Sequence, residues 1–197
     1  MHNTLQFQYK VWDDVTQPIG IVQIVSVGAG DDKQYEYLAH FLNKNNYIVV
    51  KSIDNSNNFN FGEHIRKKYN RPIFLIGDNA AKQTLHPLIQ QTDLFSGAIS
   101  VVNTKQYKPQ NVLGGIFTKR TDFISKHIPL MIISIGEMRW RKWGHLGKLL
   151  FDAYGMYDAS NLSVMMYPNI NTNKIFNDDY TVKCDILDFL TEIQNQK

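Results

Sequence analysis

The chain has 197 residues, 43% of them hydrophobic, a single cysteine and a formal net charge of +3. That length and apolar share suit one globular domain, residues 1–197, with a substantial core. The small charge excess makes nucleic acid an unexpected partner, one thiol excludes an internal disulfide, and no window approaches the ~18 apolar residues of a membrane span.

Strand and helix signals alternate along the chain. Leu5–Trp12 alternates, with Leu5, Phe7, Tyr9 and Val11 on one side. Ile19–Val27 is a nearly continuous β-branched run, the pattern of a strand buried on both faces. Asp31 and Asp32 are placed to cap a helix that carries Tyr35, Leu38, Phe41 and Leu42 on one face. Tyr47–Ile53 reads as a strand, and the asparagine-rich Asn55–Asn60 as a loop before a short helix around His64–Lys68.

Further strands are expected at Ile73–Ile76, Gly97–Val102, Pro129–Ile135 and Leu162–Tyr167. Helices are expected over 80–91, 144–154 and 178–194, the last with Ile186, Leu187, Leu190 and Ile193 on one face. Pro87 should kink or shorten the first of these. Residues 103–126 show weak periodicity and contain Gly114–Gly115, so they read as an irregular excursion. The β-α-β-α order predicts an α/β fold: a mostly parallel sheet with helices on both faces.

The segment Pro72–Lys82, PIFLIGDNAAK, has the frame of a nucleophile elbow, in which an apolar strand turns sharply into a helix. With GIVQIVSVGAGDDKQYEYLAHFLNKNNYIVV upstream, and IPLMIISIGEMRW and YPNINTNKIFND downstream, the chain resembles the α/β-hydrolase superfamily. The resemblance is to its monoacylglycerol lipase, lysophospholipase and serine aminopeptidase group. It covers most of the chain, and its opening and elbow segments are the specific ones. It implies a three-layer fold with a truncated cap at 103–126.

Carried over position by position, the resemblance puts the family's serine at Asn79, its acid at Arg139 and its histidine at Thr172. A serine hydrolase needs a hydroxyl, an imidazole to take its proton and a carboxylate to hold that imidazole. None of the three residues can fill its role. Asn79 nevertheless suits the turn, because asparagine tolerates positive φ. Gly28 and Ala80 stand where oxyanion-hole amides would come from, an arrangement that binds a carboxylate or carbonyl without cleaving an ester.

Other residue sets fare no better as catalysts. Asp78 is one position out of register at the elbow. Glu137 would replace only the acid. His40, His64, His86, His127 and His145 show no metal-ligand spacing, so no metal or cofactor is expected. Cys184 sits in a helical stretch among apolar residues as a packed thiol, and Asp13–Asp14 and Asp178–Asp179 read as turn or helix-start residues.

Met138–Trp143 interleaves Arg139, Arg141 and Lys142 with Trp140 and Trp143, a pattern suited to an anion or an acidic partner. The plainer reading packs both tryptophans into the groove left by the reduced cap. The expectation is therefore a non-catalytic, cytoplasmic α/β-hydrolase-like protein that binds a small ligand or a protein partner. A degenerate but active carboxylester hydrolase, or an anion- or nucleic-acid-binding protein using Arg139–Lys142, are the alternatives. Loss of the cap would expose apolar surface, making self-association there a further expectation.

Overall fold

A computed structural model describes residues 7–25, 33–52, 58–77, 88, 93–103, 128–136, 161–168, 170, 175–177 and 180–196. The β-branched runs form the strands. In chain order these are β1 (Tyr9–Trp12), β2 (Gly20–Val25), β3 (Tyr47–Ser52), β4 (Ile73–Gly77), β5 (Phe95–Asn103), β6 (Leu130–Gly136) and β7 (Leu162–Pro168). The helices whose full extent lies among the described residues are α1 (Lys33–Lys44), α2 (Asn58–Tyr69) and α3 (Tyr180–Asn195). One seven-stranded sheet results, in the order β1-β3-β2-β4-β5-β6-β7. Among the described residues only β1 runs antiparallel, against β3; every other pair is parallel.

Burial on both faces explains why β2 and β4 lack the alternation of a half-exposed strand. Ile21, Val22, Ile24, Val25 and Ile73 to Ile76 are all inaccessible to solvent. Ile21, Val25, Ile73 and Leu75 pack beneath α2 with Phe61 and Ile65. Val22, Ile24, Phe74 and Ile76 pack on the other face, against Leu38 and Leu42 of α1 and Ile186, Leu190 and Ile193 of α3. The sheet is thus the middle of three layers.

Three expectations about local structure are corrected. The asparagine-rich loop ends sooner than its composition indicates, because α2 begins at Asn58 and runs for 12 residues. Asn58, Phe61, Gly62 and Ile65 are buried at helical spacing, so tertiary packing overrides the weak helix propensity of asparagine. At the chain start Leu5 and Gln6 lie outside the described residues, and β1 begins at Tyr9, although Phe7 still packs on the core beside Tyr9 and Val11. β5 is also longer than expected and takes in Asn103.

α2 lies close to the sheet at Gly62. A Cβ built there would come within 2.8 Å of the Phe95 ring and 3.3 Å of Gln23 Oε1. Gln23 is fully buried in β2; its Nε2 donates to the Asn58 carbonyl at 3.1 Å, while its Oε1 has no partner. Two connections use the same device, with Asn46 (φ 65°) after α1 and Asn70 (φ 50°) after α2 in the left-handed region that asparagine tolerates.

Tyr47, at the start of β3, is wholly buried against Phe74, and its hydroxyl donates to Gln194 Oε1 at 3.2 Å. Burial pushes its phenol above the ordinary tyrosine value, and a hydrogen bond with Thr191 acts in the opposite direction. A raised folded-state pKa means the unfolded chain loses this proton first. Its stabilising effect is therefore complete below the ordinary value of about 10 and is lost as pH rises through the folded value. Urea unfolding at stepped alkaline pH should show this fall, and Tyr47→Phe should flatten it. An equally steep fall in the variant would assign the effect to other groups.

Candidate functional site

The strand order decides where a site belongs. From β2 the chain moves to β3 on one side, then crosses to β4 on the other, so β2 and β4 flank the topological switch point of the sheet. In open α/β sheets, ligands bind outside the carboxyl ends of the strands at this point. Val25 and Gly77, the last residues of β2 and β4, are register partners. Parallel neighbours lie about 4.8 Å apart. From Val25 the chain continues towards Gly28, and from Gly77 towards Asn79 and Ala80.

The other two positions leave from the same edge. Only β5 separates β4 from β6, and Gly136 of β6 is in register with Pro168 of β7. From Gly136 the chain continues towards Arg139, and from Pro168 towards Thr172. The exits of β2, β4, β6 and β7 therefore converge on the carboxyl edge.

Gly28, Asn79, Ala80, Arg139, Trp140, Arg141, Lys142, Trp143 and Thr172 themselves lie outside the described residues. So do Asp78, Glu137, Pro87, His86, His127, His145, Asp178, Asp179 and residues 104–126 of the expected reduced cap. Of the remaining histidines, His40 is exposed, and His64 packs against the Phe7 and Tyr9 rings at 5.4 and 5.9 Å. Among the described residues, no three His, Cys, Asp or Glu side chains are grouped to hold a metal ion.

Residues on either side of the Thr172 segment are anchored. The Tyr167 hydroxyl of β7 donates to the Asp185 carboxylate of α3. Past the segment, Phe176 is buried and its ring lies 5.7 Å from that of Tyr35 on α1. Tyr35 in turn lies beneath Lys51, whose Nζ is 5.9 Å from the ring centroid. Lys51, close to the carboxyl end of β3, is only 7% exposed.

Reading for family positions missed Lys51, a lysine buried over the Tyr35 ring close to the carboxyl end of β3. Its signal was present, as a lone cation inside the apolar run of Tyr47–Ser52. It lies close to the carboxyl edge at which β2, β4, β6 and β7 also end.

A concavity formed by described residues lies elsewhere. A depression of about 310 Å³ is lined by Ile19, Arg71, Pro72, Phe74, Ser96, Ile193 and Gln194. Ile19, Pro72 and Ser96 stand at the starts of their strands, so it opens at the amino edge. Gln194 is already engaged there, with the Ile19 carbonyl at 3.1 Å and the Tyr47 hydroxyl. Arg71 is the only charged residue in its lining. The depression has the wrong location, and too few uncommitted polar groups, to displace the carboxyl edge as the candidate site.

No family model matches the chain, and no curated protein matches it in sequence. Solved structures do match over nearly its whole length. A monoacylglycerol lipase from Paleococcus ferrophilus aligns with a TM-score of 0.64 at 10% identity, over 98% of this chain and 100% of the lipase. A soluble variant of monoglyceride lipase from Saccharomyces cerevisiae, in complex with a substrate analog, aligns at 0.64 and 11% identity, over 98% and 94%. Est1E from Butyrivibrio proteoclasticus aligns at 0.64 and 11%, over 97% and 96%. Identities this low speak to the backbone alone. Together with a parallel sheet whose switch point lies between β2 and β4, they show that this chain has the α/β-hydrolase fold.

Proposed function

We propose that this protein binds a ligand or partner at the carboxyl edge of its sheet without hydrolysing it. One observation carries the reading: Asn79 occupies the second position after Gly77, where β4 ends. In an elbow built on that strand, this is the nucleophile's position. An amide is not an acyl acceptor, and neither Thr172 nor Arg139 supplies a base or an acid partner for one. Gly28 and Ala80 are assigned the two amides of an oxyanion-type pocket, which suits a carboxylate or carbonyl ligand.

The Arg139–Trp143 run, following β6, adds three cations and two indoles to recognise an anionic group. One cysteine, half-buried on α3, suits a reducing, cytoplasmic setting. The single domain is taken to span 1–197, with 104–126, following β5, in place of a lipid-gripping cap.

The second reading is a working carboxylester hydrolase, favoured by the lipases and esterases among the structural neighbours. Turnover of p-nitrophenyl butyrate separates the two. The rate is expected to equal the buffer blank. Hydrolysis above the blank that is abolished by Asp78→Ala would establish an active enzyme with an aspartate in the catalytic role.

A further inference from the structure

The depression of about 310 Å³ at the amino edge is formed by elements that hold one another in place. Gly20 and Gly97 let the end of α3 lie tight against the strands. A Cβ at Gly20 would come within 2.8 Å of Gln194 Nε2, and one at Gly97 within 2.7 Å of Ile193 Cδ1. Gln194 is fixed in turn by its bonds to the Ile19 carbonyl and the Tyr47 hydroxyl. Ile193 and Phe74 are buried as the floor, whereas Ile19, on the rim, is 44% exposed.

Arg71 reaches the same depression from a turn that is held on both sides. Asn70, at φ 50°, donates its N–H to the Arg66 carbonyl at 2.9 Å. The Arg66 guanidinium donates to the Arg71 carbonyl at 2.9 Å, and the Pro72 carbonyl accepts from the Ile21 N–H at 2.9 Å. The backbone of Arg71 is thereby pinned while its side chain is exposed. Among the described residues, Lys10 and Glu36 form an ion pair, and no carboxylate is paired with Arg71.

We propose that this depression is a second ligand site, one that takes a small carboxylate with an apolar body. The lining dictates each part of that ligand. Arg71 is its one charged residue, and a guanidinium pairs with a planar carboxylate through two parallel N–H···O bonds. A second negative charge on the ligand would meet no cation in the lining. With the Gln194 amide engaged and Ser96 buried, the rest of the ligand has aliphatic and aromatic surface to cover, Ile19 and Pro72 above Ile193 and Phe74. The volume lies at the lower end of small-molecule sites, which calls for a short chain. This inference is independent of the binding site proposed above, because the two sites lie at opposite ends of the strands.

Titration of hexanoate into isotope-labelled protein, followed by amide NMR, tests it. Saturable shifts are expected at Ile19, Arg71 and Gln194, with a Kd on the order of 1 mM for so small a ligand. Hexanol lacks the charge and should bind about threefold more weakly or worse. Acetate lacks the chain and should lose at least as much. Arg71→Gln should weaken hexanoate about threefold or more, and Ile19→Asp, which sets a like charge beside the carboxylate, should abolish the shifts. Both positions are exposed, so the circular dichroism spectra should not change.

The inference is overturned by a titration without saturable shifts, by hexanol binding as tightly as hexanoate, or by Arg71→Gln binding without loss. Shifts confined to Val25, Gly77 and Gly136 overturn it as well, and assign the carboxylate to the carboxyl edge instead.

Discussion

Asn79→Ser alone is expected to leave ester hydrolysis at the buffer-blank rate, whereas Asn79→Ser with Thr172→His and Arg139→Asp should raise it roughly 10³-fold or more. The asymmetry follows from how the triad works. A serine hydroxyl is a weak nucleophile until an imidazole takes its proton, and the imidazole needs a carboxylate to set its tautomer. Members of such a unit are far from additive. Losing the nucleophile or the base costs about 10⁶ in kcat, nearly as much as losing the whole set.

A single restored serine therefore recovers almost nothing, and the three together recover most of what their geometry allows. The strand exits make the rebuilding reasonable, because β4, β6 and β7 all end at one edge of a continuous parallel ladder. The check is a p-nitrophenyl butyrate assay on all variants, with circular dichroism to confirm folding. Activity in Asn79→Ser alone would reveal a base already in place and overturn the family assignment of Thr172. A folded triple variant at the blank rate would show that the three exits do not bring these positions within reach of one another.

Phe61→Ala should cost about 3–5 kcal/mol, the usual range for removing a large buried aromatic ring. Phe61 is wholly buried where α2 meets the sheet. Its ring lies 5.2 Å from that of Tyr9 and 5.8 Å from that of Phe7. Truncation removes the Phe61 contacts between α2 and the β1 edge as well as core volume, leaving His64 and Lys68 against Tyr9. Collapse of the site is resisted by Gly62, which already holds the helix against the Phe95 ring. Urea unfolding read by tryptophan fluorescence measures the change. A loss below about 1 kcal/mol would mean that α2 relaxes into the space and is not fixed by this packing.

Much of the architecture was legible in the sequence because burial on two faces leaves a local mark. β2, β3 and β4 announce themselves as β-branched runs, and α3 through Ile186, Leu190 and Ile193 at helical spacing. The start of α2 was not legible. Asparagine favours turns in isolation, and only the pocket beneath α2, filled by Phe61 and Ile65, makes Asn58–Asn60 helical.

Register and strand order were equally beyond local reading, since they depend on pairings between residues distant in sequence. The sequence alone determined that asparagine, arginine and threonine stand at 79, 139 and 172, the positions to which the resemblance assigns the triad, because residue identity does not depend on packing. The tertiary structure decided that Val25, Gly77, Gly136 and Pro168 end on one edge, that Lys51 lies buried close to it, and that β7 stands last in the order of the described strands. Those are matters of which surfaces meet, and apolar burial and backbone pairing settle them only once the whole chain has closed.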